Sequence, residues 1–368
     1  MKRGIWDKAF LAFFLCGFLA WGQTSADKDK DKDKDKDKDK KSAILPSKSL
    51  KQWVQDLRST DPSVRDFALI AIPNLGISNS EAVPAIAERC SDPETAVRSK
   101  AIMALTMVEI LDKDIPRVVD ALTFRVQNDP QAQNRFLAIG ALTRFDATDG
   151  KKSIGALVKA TEDKGSYDIR RAALGALVQM TDRATGPEPR AVRAALVALK
   201  DNAKPVRYAA INAIAMLGPP NDAALATAVI KALVDLSQGS DKIFALWAKV
   251  GLVGLDNSNA PTHMQYVVRV LKQGDEQTKA EALRAVLILG TMAKTAVPDL
   301  IDILQDKDFN MVFMAIGALA TIGKDAKVAL DPLQKLADKK DIPEGIKLAA
   351  NHAIQKIKGN VVQPVQGK

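Results

Sequence analysis

Few residues in this chain have the types and spacing that catalysis or metal binding requires. Its two histidines are His263, between Thr262 and Met264, and His352, between Asn351 and Ala353, so neither belongs to a His-Glu-x-x-His metal motif. The two cysteines, Cys16 and Cys90, form no Cys-x-x-Cys pair. There is no Gly-x-Ser-x-Gly elbow and no phosphate-cradling glycine loop. Carboxylates are plentiful but scattered, with no pattern that would bury one and raise its pKa for acid-base work. These absences point to a chain without enzymatic activity, metal or cofactor.

What the chain does concentrate is positive charge. Between Lys151 and Arg207 there are 12 basic residues against 6 acidic ones. Lys151, Lys152, Arg170, Arg171, Arg190, Arg193, Lys204 and Arg207 are therefore candidates for a basic patch that attracts an acidic protein or an anionic envelope polymer. Nucleic acid is disfavoured as the partner, because no aromatic residues interleave the cations to stack on bases.

The elements that position these residues are written in a repeat. A basic residue is followed by alanine three and six positions later and by a bulky apolar residue at the tenth; the first copy reads Arg65, Ala68, Ala71, Leu75. The mark returns at Arg98, Arg135, Arg170, Arg207, Lys242, Lys279, Val312 and Lys347, in steps of 33 to 37 residues. That period fits a pair of helices of ten to fifteen residues with short turns, stacked nine times. High apolar content, 47%, with only 5% aromatic residues also favours closely packed helices over strands. Punctuation agrees: Asp61-Pro62, Asp92-Pro93 and Asp129-Pro130 read as caps that start second helices, while Gly76, Gly218, Gly290 and Gly323 read as stops. First helices are expected near Leu50, Ala82, Ile115, Ile154, Val192, Leu225, Met264, Val297 and Val328, several with a proline in the first turn. The fold class is all-α, an α-solenoid of about nine hairpins.

One and five positions after each mark lie residues that share a helix face. Met103, Phe136, Tyr208, Trp247 and Phe313 occupy those columns, beside Ile70, Ile243 and His352. They form either a binding stripe with aromatic anchors or part of the core, and Ile243 and Trp247 lean to core.

The phrase Asp-Pro-x-x-Val-Arg-x-x-Ala-x-x-Ala-x-x-x-Leu-Gly resembles the HEAT repeat, including the bacterial HEAT-like repeats associated with phycobilisome lyases, across residues 48–358. That resemblance implies a right-handed superhelix with second helices on the concave side. It also implies a structural ladder of hydrogen bonds in which Asp61, Asp92, Asp129 and Asp201 pair with Arg65, Arg98, Arg135 and Arg207. Some HEAT-like proteins are di-iron hydroxylases built on several His-Glu dipeptides, and this chain has none.

Residues 1–26 read as a signal peptide: Lys2, Arg3 and Lys8 precede an apolar run from Ala9 to Trp21, too short to span a bilayer, and small residues lead to a cut after Ala26. The mature chain is then exported, periplasmic or extracellular, with no transmembrane span. From 27 to 41 the Asp-Lys alternation reads as a disordered spacer, 42–358 as the solenoid and 359–368 as a polar tail. The leading functional reading is a scaffold that binds a macromolecule through its concave face and basic middle copies. Its rivals are a HEAT-like lyase or enzyme accessory acting on a chromophore or protein, and a self-associating structural protein; the oligomeric state is left open.

Overall fold

The computed structural model describes residues 48–75, 78–181 and 185–359. The leader, the Asp-Lys tract, Gly76, Arg183 and the tail from Asn360 lie outside the described residues. The chain divides into two units, and the second, Lys48–Lys368, holds everything described.

Helices alternate without a strand among the described residues. Among the described residues the first helices of nine hairpins are α1 (Leu50–Asp56), α3 (Val83–Arg89), α5 (Ile115–Asn128), α7 (Ile154–Ala160), α9 (Pro189–Ala198), α11 (Ala223–Ser237), α13 (Ala260–Gln273), α15 (Val297–Ile303) and α17 (Leu330–Ala337). Their partners are α2 (Pro62–Ala71), α4 (Thr95–Met107), α6 (Ala132–Leu142), α8 (Tyr167–Gln179), α10 (Lys204–Leu217), α12 (Lys242–Leu255), α14 (Glu276–Leu289), α16 (Phe309–Ile322) and α18 (Glu344–Lys358). Each second helix packs on the next, from α2 on α4 through to α16 on α18, so the core runs continuously along the stack. No helix among the described residues is long and apolar enough to cross a membrane.

The alanine periodicity sets this packing. Ala68, Ala101, Ala138, Ala173, Ala210, Ala282, Ala315 and Ala350, each three residues after its mark, are all completely buried. Only a small side chain fits where two helices approach this closely, and a bulkier one would overpack by about 1–3 kcal/mol. In the sixth copy the register differs from the sequence expectation. Elsewhere the mark is the fourth residue of its helix, but Lys242 is the first residue of α12, so Ala245 holds the equivalent place. Ala248, three further on, is the wholly buried alanine of that copy.

The punctuation is partly as expected. Gly218, Gly290 and Gly323 end their helices at positive φ, where glycine alone is unstrained. Asp61 caps α2 through the Ser63 N–H, with Pro62 in the first turn. By contrast, Pro93 and Pro130 stand outside their helices, which begin two residues later at Thr95 and Ala132. Asp92 and Asp129 instead accept the N–H of Glu94 and of Gln131, a turn that feeds the helix and frees the rest of the carboxylate for other work.

At the far end of the stack α18 turns polar. Asn351 stands where Leu69, Ile102, Ile139, Leu174, Ile211, Leu283 and Ile316 seal earlier copies, all at most 2% exposed, and Asn351 is exposed. A polar outer face of this kind is what caps a repeat array.

Candidate functional surface

Potentially reactive groups are dispersed. His263 is buried with Nε2 3.3 Å from Asp256. Hydrogen bonds from Asn259 and Ser258, against a smaller effect of burial, draw that carboxyl down to about 2. Burial lowers the pKa of His352, helped by the charge of Lys356. Burial pushes the Cys90 thiol up to about 12, so it stays protonated. Among the described residues no group of three His, Cys, Asp or Glu side chains converges to hold a metal.

The repeated charges do converge, in a ladder between copies. Arg65 forks onto the two oxygens of Asp92, Nε at 2.8 Å and Nη2 at 2.8 Å, while Nη1 donates to the carbonyls of Ser59 and Thr60. Arg98 grips Asp129 at 2.8 and 3.3 Å, and Arg170 grips Asp201 at 2.7 and 2.8 Å. Arg135 puts two donors on one oxygen of Asp163, at 3.2 and 2.9 Å. A guanidinium suits this geometry because its planar donors match a carboxylate. Burial pushes the Asp92 and Asp129 carboxyls up, but the arginine and backbone hydrogen bonds outweigh it and hold both below the usual range. At Asp201 the Arg170 hydrogen bond dominates and lowers the pKa.

Two ladder assignments from the sequence need correction. Asp61 is an exposed helix cap four residues before Arg65, and Ser59 holds the place six residues back that Asp92 holds before Arg98, giving Arg65 its carbonyl. Asp163, which the repeat phrase missed, is the true rung of the fourth copy. The spacing hid it: Arg170 reaches back seven residues to the Asp163 carbonyl, whereas Arg98 reaches back six to Asp92. Beyond Asp201 the ladder lapses. Arg207 donates to the carbonyls of Asp201 and Asn202 and lies over the Phe244 ring, 5.8 Å from its centroid.

The eight cations of the expected basic patch do not share one face. Lys151 and Lys152 sit in the turn before α7, and Arg190 and Arg193 on α9; Arg171 is on α8, and Lys204 and Arg207 on α10. Arg170 is a rung. Carboxylates accompany most of the others: Lys152 with Asp120 at 3.5 Å, Arg171 with Asp168 at 3.1 Å, Arg190 with Glu188 at 2.7 Å, Arg193 with Asp222 at 3.6 Å and Lys204 with Asp241 at 2.8 Å.

The expected stripe divides. Met103 and Phe313 are exposed, at 47% and 45%, and Phe136 is half-buried. Trp247 is core, only 1% exposed, and its Nε1 donates to Glu281 at 3.0 Å. The shifted register of α12 puts Trp247 two positions after Ala245 and off the column, where Tyr208 and Glu281 pack against it. Tyr208 is largely covered as well: it stacks near Phe244, meets Trp247 edge-on with centroids 6.3 Å apart and donates its hydroxyl to Glu281. Burial, then the Glu281 charge, raise its pKa. Sequence reading missed two exposed residues beside the columns. Phe67 is 43% exposed next to Ile70, and Met107, one turn beyond Met103, is 59% exposed. Extending the columns by one helical turn would have found Met107. Gly140 and Gly175 follow on α6 and α8, and a Cβ added to either would meet nothing within 4 Å.

A family model for HEAT repeats matches residues 50–143 and 257–355. The chain belongs to the HEAT-repeat family. Among curated proteins nothing matches. The HEAT segments flank residues 144–256, the stretch that holds the lengthened turn at Asp163 and the shifted register of α12. There the hairpins persist while the repeat phrase drifts, because packing tolerates a one-residue insertion in a turn more readily than in a helix.

Proposed function

We propose that this HEAT-repeat chain is an exported, non-enzymatic scaffold that docks an apolar segment of a protein partner on the second-helix face of its first four copies. The observation that carries the reading is the run of exposed large apolar side chains on consecutive second helices: Phe67 and Ile70 on α2, then Met103 and Met107 on α4, leading to Phe136 on α6. Contiguous patches of this kind mark interaction sites on proteins that otherwise expose apolar side chains singly. Gly140 and Gly175 support it. A mid-helix glycine costs about 0.5–1 kcal/mol relative to alanine, and no neighbour crowds either position, so the open space is available to a ligand. Methionine suits such a surface because its flexible thioether adapts to the partner. Export rests on the basic and apolar leader of residues 1–26.

A second reading, an anionic envelope polymer held electrostatically, is supported by the exposed lysines of the first-helix layer, Lys151, Lys159 and Lys200. The discriminating experiment is a pull-down from cell envelope with the wild type, a Met103→Glu/Met107→Glu variant and a Lys151→Glu/Lys159→Glu/Lys200→Glu variant. Loss of capture in the methionine variant alone supports the apolar face. Loss in the lysine variant alone, with binding that falls as salt rises, replaces it with the electrostatic reading.

A further inference from the structure

Stacked repeats normally touch only their immediate neighbours, so stability is a sum of local interfaces. Copies five to seven depart from that rule. Tyr208 on α10 donates its hydroxyl to Glu281 on α14, bypassing α12 between them. Trp247, on the bypassed α12, donates Nε1 to the same Oε2 at 3.0 Å, and Arg284 donates Nη1 to Oε1 at 2.5 Å. Both oxygens of Glu281 are thus engaged, and its side chain is only 3% exposed. A carboxylate so far from water persists only if it is paired and hydrogen-bonded, as this one is. The cluster sits where the Arg-Asp ladder has ended, Arg170 with Asp201 being its last rung. Beneath it α12 is enclosed: every residue from Phe244 to Ala248 is buried, including the largest apolar side chain of the copy.

We propose that Glu281 is a latch that ties copy five directly to copy seven, so that copies five to seven open as one block and Trp247 is kept withdrawn from the second-helix face. Two consequences distinguish this from ordinary packing. Loosening the α10 end of the latch must be felt on α14, two copies away. The laddered copies one to three, whose rungs among the described residues join neighbouring copies, must not respond.

Native-state hydrogen exchange on the full chain tests it. Tyr208→Phe removes one donor to a charged acceptor and keeps the ring, so exchange in both α12 and α14 accelerates about tenfold or more while α4 and α6 are unchanged. Glu281→Gln, which keeps the side-chain volume and loses the charge, accelerates the same two helices further. The control Asp129→Asn, on the ladder, acts on α4 and α6 and leaves α12 and α14 alone. An effect of Tyr208→Phe confined to α10, an acceleration spread evenly over all copies, or a weaker response to Glu281→Gln than to Tyr208→Phe overturns the latch.

Discussion

Asp61 and Asp129 look alike in the repeat phrase, each an aspartate before proline and a few residues ahead of an arginine, yet their losses should differ by an order of magnitude or more. Asp61 is exposed and satisfies one N–H, that of Ser63, at 2.8 Å. Replacing such a cap with alanine costs about 1 kcal/mol, which multiplies local opening by about fivefold. Asp129 is different in kind. Its side chain is completely buried, and it accepts from Arg98, Gln131, Asn134 and Arg125. Asp129→Ala strands the Arg98 guanidinium, whose side chain is 7% exposed. Removing one partner of a buried pair costs about 3–5 kcal/mol. Arg98 keeps the carbonyls of Asp92 and Pro93 as acceptors, which places the loss at the lower end, about 3 kcal/mol or a factor of about 100 in opening. Hydrogen exchange resolved by helix is the suitable assay, because long arrays do not unfold in two states. Exchange in α4 and α6 should accelerate about 100-fold in Asp129→Ala, against about fivefold in α2 for Asp61→Ala. Equal effects from the two variants would refute the assignment of Asp129 as a rung and Asp61 as a cap.

Other consequences follow from the same contacts. Gly140→Ala should stabilise by about 0.5–1 kcal/mol, because its Cβ meets nothing, whereas Gly251→Ala should destabilise by about 1–3 kcal/mol, its Cβ falling 2.8 Å from Leu233 Cδ1; hydrogen exchange of α6 and α12 in the two variants decides. Acid should weaken the ladder. Asp92, Asp129 and Asp201 all have folded pKa values below the unfolded value of about 3.9, so their contribution is complete above about pH 4 and fades as pH falls through the folded values. In Asp129→Asn the free energy of opening α4 and α6, read by hydrogen exchange, should therefore depend less on pH below about 4 than in the wild type, and an unchanged slope would count against the ladder. Asn351→Leu restores the apolar seal of earlier copies on an exposed end, so light scattering should rise with concentration for this variant and not for the wild type.

The architecture was legible because its cause is periodic. Alanine every third residue after the mark, proline at Pro84, Pro116 and Pro298 in first turns, and glycine at Gly218, Gly290 and Gly323 each reflect a local steric demand, which a sequence records directly. What was not legible depends on register. A turn longer by one residue concealed Asp163, and a helix that starts three residues off phase placed Trp247 on a face it does not occupy. Charge was the least legible of all. Composition concentrates cations between Lys151 and Arg207, but a count cannot reveal that Arg170 is spent on Asp201 or that Arg190 and Arg193 point at Glu188 and Asp222. Glu281 carries no motif, because two of its donors come from other copies, Tyr208 two copies away and Trp247 one.

A docking surface on the second-helix face of the early copies puts the partner within reach of Met103. Replacing Met103 with a photo-crosslinking residue in the full chain, and in parallel Val197 on α9, which is 64% exposed in the first-helix layer, tests it most directly in cells. A discrete crosslinked partner is expected from position 103 and none from position 197. A partner captured from Val197 and not from Met103 would contradict it.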